Sequence, residues 1–396
     1  MRIGILTYHR SINYGAFIQA YALQNFLKKS IGYDVEIIDF DTAISEKYYK
    51  DYLSNRYKRI VYRNIYYYKK RSNEEITFAK QQRESFEKAR NNYLLLSSKS
   101  LVSNDLLEFR EFIQGNYDII IVGSDEVWRV NGMRGFPNPY WLPTINNCIK
   151  VSYAASSRES FSGLSTFQKD KIKEYLMSFD YISVRDRCTQ NLINEITGDE
   201  RANLVCDPTM AYDFEFDKER GKKLLKEYFG ISFDKPIIGL MDEFGRLSDY
   251  VIKKYNDSIQ IVPLYKYVKG VNNYGAINPL EWVDIISSLD GLLTSFFHGM
   301  CISINTNTPF RVFEHRNVKD PLYSKSYDLL SKYNCDNLYV QMSKGHSFQK
   351  VVDDFISKIL NGKMNEDYSH IKMQEQRLAD GFIKILLKYV TRGSNR

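Results

Sequence analysis

A chain of 396 residues, 43% of them hydrophobic and carrying a formal net charge of +7, is longer than one core usually spans, so two domains of comparable size are expected. Its cysteines (Cys148, Cys188, Cys206, Cys301, Cys335) are scattered, odd in number and free of any Cys-x-x-Cys pair, which argues against a disulfide framework and against a zinc site. No apolar window approaches a membrane span, and Met1–Thr7 reads as a first strand rather than a signal peptide, so a cytoplasmic location is expected. The positive charge favours anionic partners without choosing among a phosphorylated metabolite, an acidic glycan, a lipid surface and nucleic acid.

Arg2–Leu6 is a short β-rich run, Tyr14–Leu27 has helical periodicity, and Asp34–Phe40 reads as a second strand. Together they predict a βαβ unit of a parallel sheet. Asn13 and Gly15 stand at the loop-to-helix junction, where a glycine lets backbone approach a ligand. From Lys47 to Arg71 the composition changes to nine basic residues and eight tyrosines against one acidic residue. Two readings stay open there: a cationic aromatic surface for sugars or lipid headgroups, or a solvated helical hairpin packing its tyrosines on the domain. Nucleic acid is not expected, since no recognised module accompanies the patch.

The strand pattern resumes at Tyr117–Gly123, Lys150–Ala155 and Tyr181–Val184, each running into a polar loop. Strands ending in polar loops, with helical segments between, are the signature of a doubly wound sheet with ligands along one edge. The second half repeats this rhythm with Pro236–Met241, Ile259–Leu264 and Thr308–Phe313. Asn278-Pro279-Leu280-Glu281 looks like a helix start with Asn278 as cap. The focal stretch is Leu289–Met300. An apolar strand stops near Thr294, a helix begins near Gly299, and Thr294, Ser295 and His298 crowd that helix N-terminus, whose N–H groups and dipole attract an anion. A histidine beside two phenylalanines is also compatible with simple packing, and both readings stand at this point. Ile371–Thr391 reads as a terminal helix packing across the domains, or as a membrane-surface helix.

Asn13-Tyr14-Gly15-Ala16 with Gln19, Gly123-Ser124-Asp125 with Trp128, Ser152–Ser156, Ile182–Arg185, Asp207-Pro208-Thr209 and Ser295–Gly299, in this order, resemble the polysaccharide pyruvyl transferase family. The specificity lies in the ordered set. The resemblance implies an α/β fold of two Rossmann-like domains facing a cleft, similar to the GT-B glycosyltransferases, with a C-terminal helix. The expected division is 1–210 on the acceptor side, including a basic, Tyr-rich helical insertion at about 41–110, and 211–396 on the donor side. It implies transfer of pyruvate from phosphoenolpyruvate onto paired sugar hydroxyls as a ketal, with phosphoenolpyruvate as donor substrate and neither cofactor nor metal.

His298 is then the expected catalytic residue. Thr294, Ser295, Gly299, Arg311, Arg316, Lys319 and Lys325 are expected around the donor. Asn13, Tyr14, Gly15, Gln19, Gly123, Ser124, Asp125, Trp128, Ser156, Arg158 and Arg185 are expected at the acceptor or cleft. Several members carry an arginine two residues before the histidine, where Phe296 stands here. A sugar acceptor, lipid-linked, with peripheral contact at the inner face of the cytoplasmic membrane, is the expected partner in cell-surface polysaccharide assembly. Two alternatives are a nucleotide-sugar-dependent GT-B glycosyltransferase, for which Glu314 is the nearby ribose-binding candidate, and a catalytically degenerate glycan-binding or assembly protein.

Overall fold

The computed structural model describes residues 1–51, 56–62, 65–143, 145–158, 163–318, 320–343 and 348–393, with 51, 56–62, 65–70 and 392–393 described by backbone alone. Its amino-terminal part opens with β1 (Ile3–Leu6), α1 (Tyr14–Ile31), β2 (Val35–Asp41) and α2 (Ala43–Asp51). A ribbon β3 (Arg56–Tyr62) and β4 (Ile65–Lys70) precedes α3 (Asn73–Tyr93), β5 (Leu96–Val102), α4 (Leu106–Ile113), β6 (Ile119–Val122) and β7 (Ile149–Ser152). There follow α5 (Thr166–Met177), β8 (Ile182–Val184), α6 (Arg187–Thr197), β9 (Ala202–Leu204) and the short α7 (Pro208–Ala211). Strands β5-β2-β1-β6-β7 form one parallel sheet. Leaving the ribbon aside, this is the 3-2-1-4-5 order of a Rossmann half. Parallel bridges Val151 to Tyr181 and Ala155 to Val184 continue it toward the β8-β9 pair.

The carboxy-terminal part contains α8 (Lys218–Phe229), β10 (Ile237–Met241), α9 (Arg246–Tyr255), β11 (Gln260–Pro263), α10 (Glu281–Ser287), β12 (Gly291–Thr294) and α11 (Phe297–Thr306). It continues through β13 (Phe310–Glu314), α12 (Lys325–Ser331), β14 (Tyr339–Gln341), α13 (Phe348–Leu360) and α14 (Ser369–Gly393). Its parallel sheet runs β11-β10-β12-β13-β14, the other doubly wound order. The central strands β1, β6, β10 and β12 are buried throughout, because helices cover both faces of each sheet. That is why they read as continuous apolar runs.

Two expectations are corrected. The 41–110 stretch is helical only in part, through α2, α3 and α4: Arg56–Tyr62 and Ile65–Lys70 pair as an antiparallel ribbon, as their Tyr, Ile and Val content favours, and Leu96–Val102 joins the main sheet as β5. The helix expected to start after Asn278 begins at Glu281. Asn278 still accepts from the Leu280 N–H at 2.9 Å while its own N–H donates to Glu281 at 3.2 Å, so the reciprocal cap forms just before the helix proper.

The terminal helix lies across both sheets. Its buried stripe is Ile371, Ala379, Phe382, Leu386 and Val390, the spacing of one helical face. The Phe382 ring meets Tyr153 of the amino-terminal part at 4.7 Å, and the Tyr389 hydroxyl donates to the Asp180 carbonyl at 2.8 Å. Arg187, at the start of α6, clasps Asp328 of α12 with Nε at 2.5 Å and N at 3.1 Å. Among the described residues no helix is long and apolar enough to cross a membrane.

Candidate active site

Ligands of doubly wound sheets settle where the strand order reverses, beyond the carboxyl ends of the strands. In the first sheet that point lies between β1 and β6, and in the second between β10 and β12. The loops leaving these four strands face one another across a cavity of about 290 Å³, lined among others by Tyr8, Asp125, Glu126, Met241, Glu243, Ser295 and Phe296. Two helix starts meet there. Asn13 caps α1, its Oδ1 accepting from the Ala16 N–H at 3.1 Å. At the start of α11 the Thr294 hydroxyl accepts from the Phe296 N–H at 3.0 Å. Ser295 accepts from the Glu243 N–H at 3.0 Å and donates to the Met241 carbonyl at 3.2 Å, tying the ends of β10 and β12 together.

The α1 and α11 starts touch through Gly15 and His298. A Cβ on residue 15 would lie 2.1 Å from His298 Nδ1, so only a glycine lets the imidazole seat there. On its other side, His298 Nε2 lies 3.6 Å from Asp207 Oδ2, and the two side chains are 10% and 1% exposed. That is ion-pair range but too long for a hydrogen bond, and Nε2 has no hydrogen-bond partner among the described residues.

Asp207 is held from every side. Arg185 Nη1 donates to it at 2.6 Å, the Thr209 hydroxyl at 2.7 Å and the Thr209 N–H at 3.0 Å. Burial alone would raise the Asp207 pKa, but His298, Arg185 and Thr209 hold its carboxyl well below the usual range. Burial pulls Arg185 down, and Asp207 and Asp125 more than reverse this. The Arg185 guanidinium also sits 5.1 Å over the Phe297 ring.

A cationic wall completes the cavity. Lys325 Nζ donates to Glu126 at 2.7 Å and Arg158 Nη1 to the same carboxylate at 3.1 Å. Burial pushes Glu126 up, yet Lys325 and Arg158 keep it ionised well below its ordinary value. The reverse holds for Lys325, where burial lowers the pKa and Glu126 only partly opposes it. Arg316 is gripped by Glu314 through Nε at 3.0 Å and Nη2 at 2.7 Å, so Glu314, the ribose candidate, is engaged by a guanidinium. Arg134 lies 3.6 Å over the Tyr8 ring and donates to Ser45 at 2.8 Å.

Of the residues expected from sequence, Asn13, Tyr14, Gly15, Asp125, Arg158, Ser295, His298, Gly299, Arg316 and Lys325 share this cavity. Lys319 lies outside the described residues. Arg185 stands behind the cavity on Asp207. The rest are placed elsewhere by their own bonding. Arg311 forms a two-bonded pair with Glu366 at 2.7 and 3.1 Å against the Phe355 ring. Trp128 is fully buried, stacked on Trp141 and donating to the Tyr140 carbonyl at 3.2 Å. Gln19 is buried and donates to Thr7 at 2.9 Å and to the Ala16 carbonyl at 2.8 Å.

Thr294, Ser124 and Ser156 are likewise fully buried. Ser124 donates to Asp207 at 3.4 Å, and Ser156 accepts from the Arg158 N–H at 3.3 Å. Gly123 has φ 116° and would drive a Cβ onto the Tyr153 carbonyl, a backbone reason for glycine. Sequence reasoning missed Tyr8, Glu126 and Arg134 on the cavity and gave Asp207 no role. The signal available for Asp207 was its place in the Asp-Pro-Thr motif after a strand. At the position of the arginine expected from several family members, the Phe296 ring meets Tyr265 at a tilt of 41°, with centroids 3.9 Å apart. Among the described residues no three His, Cys, Asp or Glu side chains gather as a metal-ligand set.

The family model for polysaccharide pyruvyl transferase matches residues 13–317. No curated protein matches the sequence. The fold is similar to Methanocaldococcus jannaschii UDP-GlcNAc 2-epimerase in complex with UDP-GlcNAc and UDP, at 12% identity and TM-score 0.51 over 98% of this chain and 100% of the other. A second structure of UDP-GlcNAc 2-epimerase from that organism aligns at 11% identity and TM-score 0.49, covering 98% of this chain and 100% of the other. The E. coli ADP-heptose LPS heptosyltransferase II aligns at 10% identity and TM-score 0.42, covering 92% of this chain and 100% of the other. At such identities the likeness is one of fold, carried by the first of these, and it is the GT-B-like pairing of two Rossmann-like sheets.

Proposed function

We propose, of a chain that belongs to the polysaccharide pyruvyl transferase family, that it moves pyruvate from phosphoenolpyruvate onto two hydroxyls of one sugar as a ketal. The observation that carries this reading is the seat of His298, an imidazole on a cavity wall between two helix starts, with a buried ionised carboxylate behind it and cations around it.

In the proposed reaction the enol carbon of the donor takes a proton, the central carbon becomes electrophilic, and a sugar hydroxyl adds to it. The second hydroxyl displaces phosphate, closing the ketal. Of the two hydroxyl protons given up, one balances the new methyl hydrogen and the other leaves with phosphate. His298 is the group in reach to pass these protons. The Asp207 carboxylate stands 3.6 Å behind the imidazole Nε2, in the place that an orienting carboxylate takes behind a catalytic histidine. The cationic wall and the α11 N–H groups receive the donor's carboxylate and phosphate, and Arg316 and Lys325 take the place of the arginine replaced by Phe296. The scheme needs no cofactor or metal. The acceptor in this reading is a lipid-linked glycan met at the cytoplasmic face of the membrane.

The test is phosphate release from phosphoenolpyruvate with purified protein and a panel of lipid-linked and free glycans, followed by ³¹P NMR. Acceptor-dependent release that falls at least about 100-fold in His298→Gln is expected for a lost general acid–base. Absence of phosphoenolpyruvate binding, or unchanged turnover in His298→Gln, refutes the reading.

A further inference from the structure

We infer that the larger cleft beside the His298 cavity seats neutral pyranose units of the acceptor glycan, stacked on Phe244 and Tyr48. This rests on the proposed function. The cleft measures about 930 Å³, within the roughly 300–1,000 Å³ typical of ligand sites, whereas the His298 cavity has about 290 Å³. Glu243 lines both, so a chain lying in the large cleft reaches the small one at that residue. A cavity sized for a three-carbon phosphate ester beside one sized for several sugar rings is the arrangement that a group transfer onto a glycan requires.

The lining chemistry fits a neutral sugar. Phe244 and Tyr48 are each 53% exposed, large aromatic faces presented within a concave surface. The electron-rich face of an aromatic ring attracts the C–H-bearing face of a pyranose. Phe244 is held in place rather than loose. Its ring meets His315 edge-on at 5.0 Å, His315 Nε2 lies 2.9 Å from Asp242 Oδ1, and Asp242 accepts from the Leu247 and Ser248 N–H groups at 2.9 and 3.0 Å. A platform fixed before binding loses little entropy when a ligand arrives. Among the described residues, five carboxylates against three cationic side chains line the cleft. That excess offers acceptors to the hydroxyls of a neutral polyol and disfavours an anion, whereas the described lining of the His298 cavity balances four carboxylates with four Lys and Arg side chains.

The test is saturation-transfer NMR on the full chain with three probes, chitotriose, cellotriose and β-1,4-galactotriose, and with a diglucuronide as the anionic comparison. Phosphoenolpyruvate affinity is followed in parallel by ³¹P titration. At least one neutral trisaccharide is expected to bind through its ring C–H protons in preference to the diglucuronide. Phe244→Ala, and separately Tyr48→Ala, is expected to weaken it at least tenfold with phosphoenolpyruvate affinity held within twofold. Because the two residues lie on different elements, misfolding of one variant leaves the other to decide. Binding by none of the three, affinity unchanged in both variants, or a parallel loss of phosphoenolpyruvate affinity overturns the inference. Phe244-dependent sugar binding by a chain that does not bind phosphoenolpyruvate upholds the cleft assignment while refuting the pyruvyl transfer reading.

Discussion

Gly15→Ala tests whether the contact between two helix starts governs the reaction. The added methyl would stand 2.1 Å from His298 Nδ1, 2.6 Å from its Cγ and 2.9 Å from its Cβ. Because the clash reaches back to Cβ, rotating the ring cannot relieve it. Restoring even a tight 3.4 Å contact moves the imidazole by 1.3 Å. Alanine in a helix gains about 1 kcal/mol over glycine, and overpacking costs about 1–3 kcal/mol, so the net loss of stability is at most about 2 kcal/mol, a fall of about 2–3 °C in Tm at roughly 2.1 cal/mol/K of unfolding entropy per residue. Activity should suffer far more, since a misplacement of about 1 Å costs on the order of 100-fold. Calorimetry together with acceptor-dependent phosphate release measures both. Near-native turnover, or unfolding as the cause of its loss, refutes the reasoning.

Lys325→Met removes one cation from the cavity wall and leaves Glu126 with one partner fewer; phosphoenolpyruvate affinity by calorimetry should weaken about 10–100-fold, the equivalent of one charge-assisted hydrogen bond, and unchanged affinity would remove Lys325 from the donor site. Glu375 of α14 is 2% exposed, accepts from Tyr333 at 2.6 Å, and has its pKa raised from 4.5 chiefly by burial. A raised carboxyl lends stability below its unfolded pKa and loses it as pH rises through the folded value, so Glu375→Gln, which keeps the acceptor oxygen, should unfold at a higher temperature than the parent at pH 8 and not at pH 4. Equal shifts at both pH values would show that charge burial is not the cause.

Legibility in the sequence followed burial. The runs Ile119–Val122, Ile237–Met241 and Gly291–Thr294 are covered on both faces, which makes a strand visible without neighbours. Leu96–Val102 was not visible, because an edge strand with serines and lysine facing water carries no apolar alternation. In the cavity, His298 and Gly15 were legible because strand-end and helix-start signals surround them. Arg134 sits in a loop with no periodicity, and its place over Tyr8 depends on tertiary packing alone. Arg311 and Trp128 show the converse: residue type suggested a ligand, while the Glu366 carboxylate and the Trp141 ring had already claimed them.

The terminal helix has a mechanical meaning. The chain passes from the first sheet to the second near Pro208–Phe214 and returns along Ser369–Gly393 to rest on Tyr153 and Asp180. Two tethers define an axis, as two hinges do for a door. A connection at both places opposes sliding and twisting of one sheet against the other more than a single crossing would. Arg187–Asp328 and Lys325–Glu126 tie the same two parts through side chains, so the strap on the outside of the molecule and the ion pairs beside the cavity hold the two sheets in one arrangement from opposite sides.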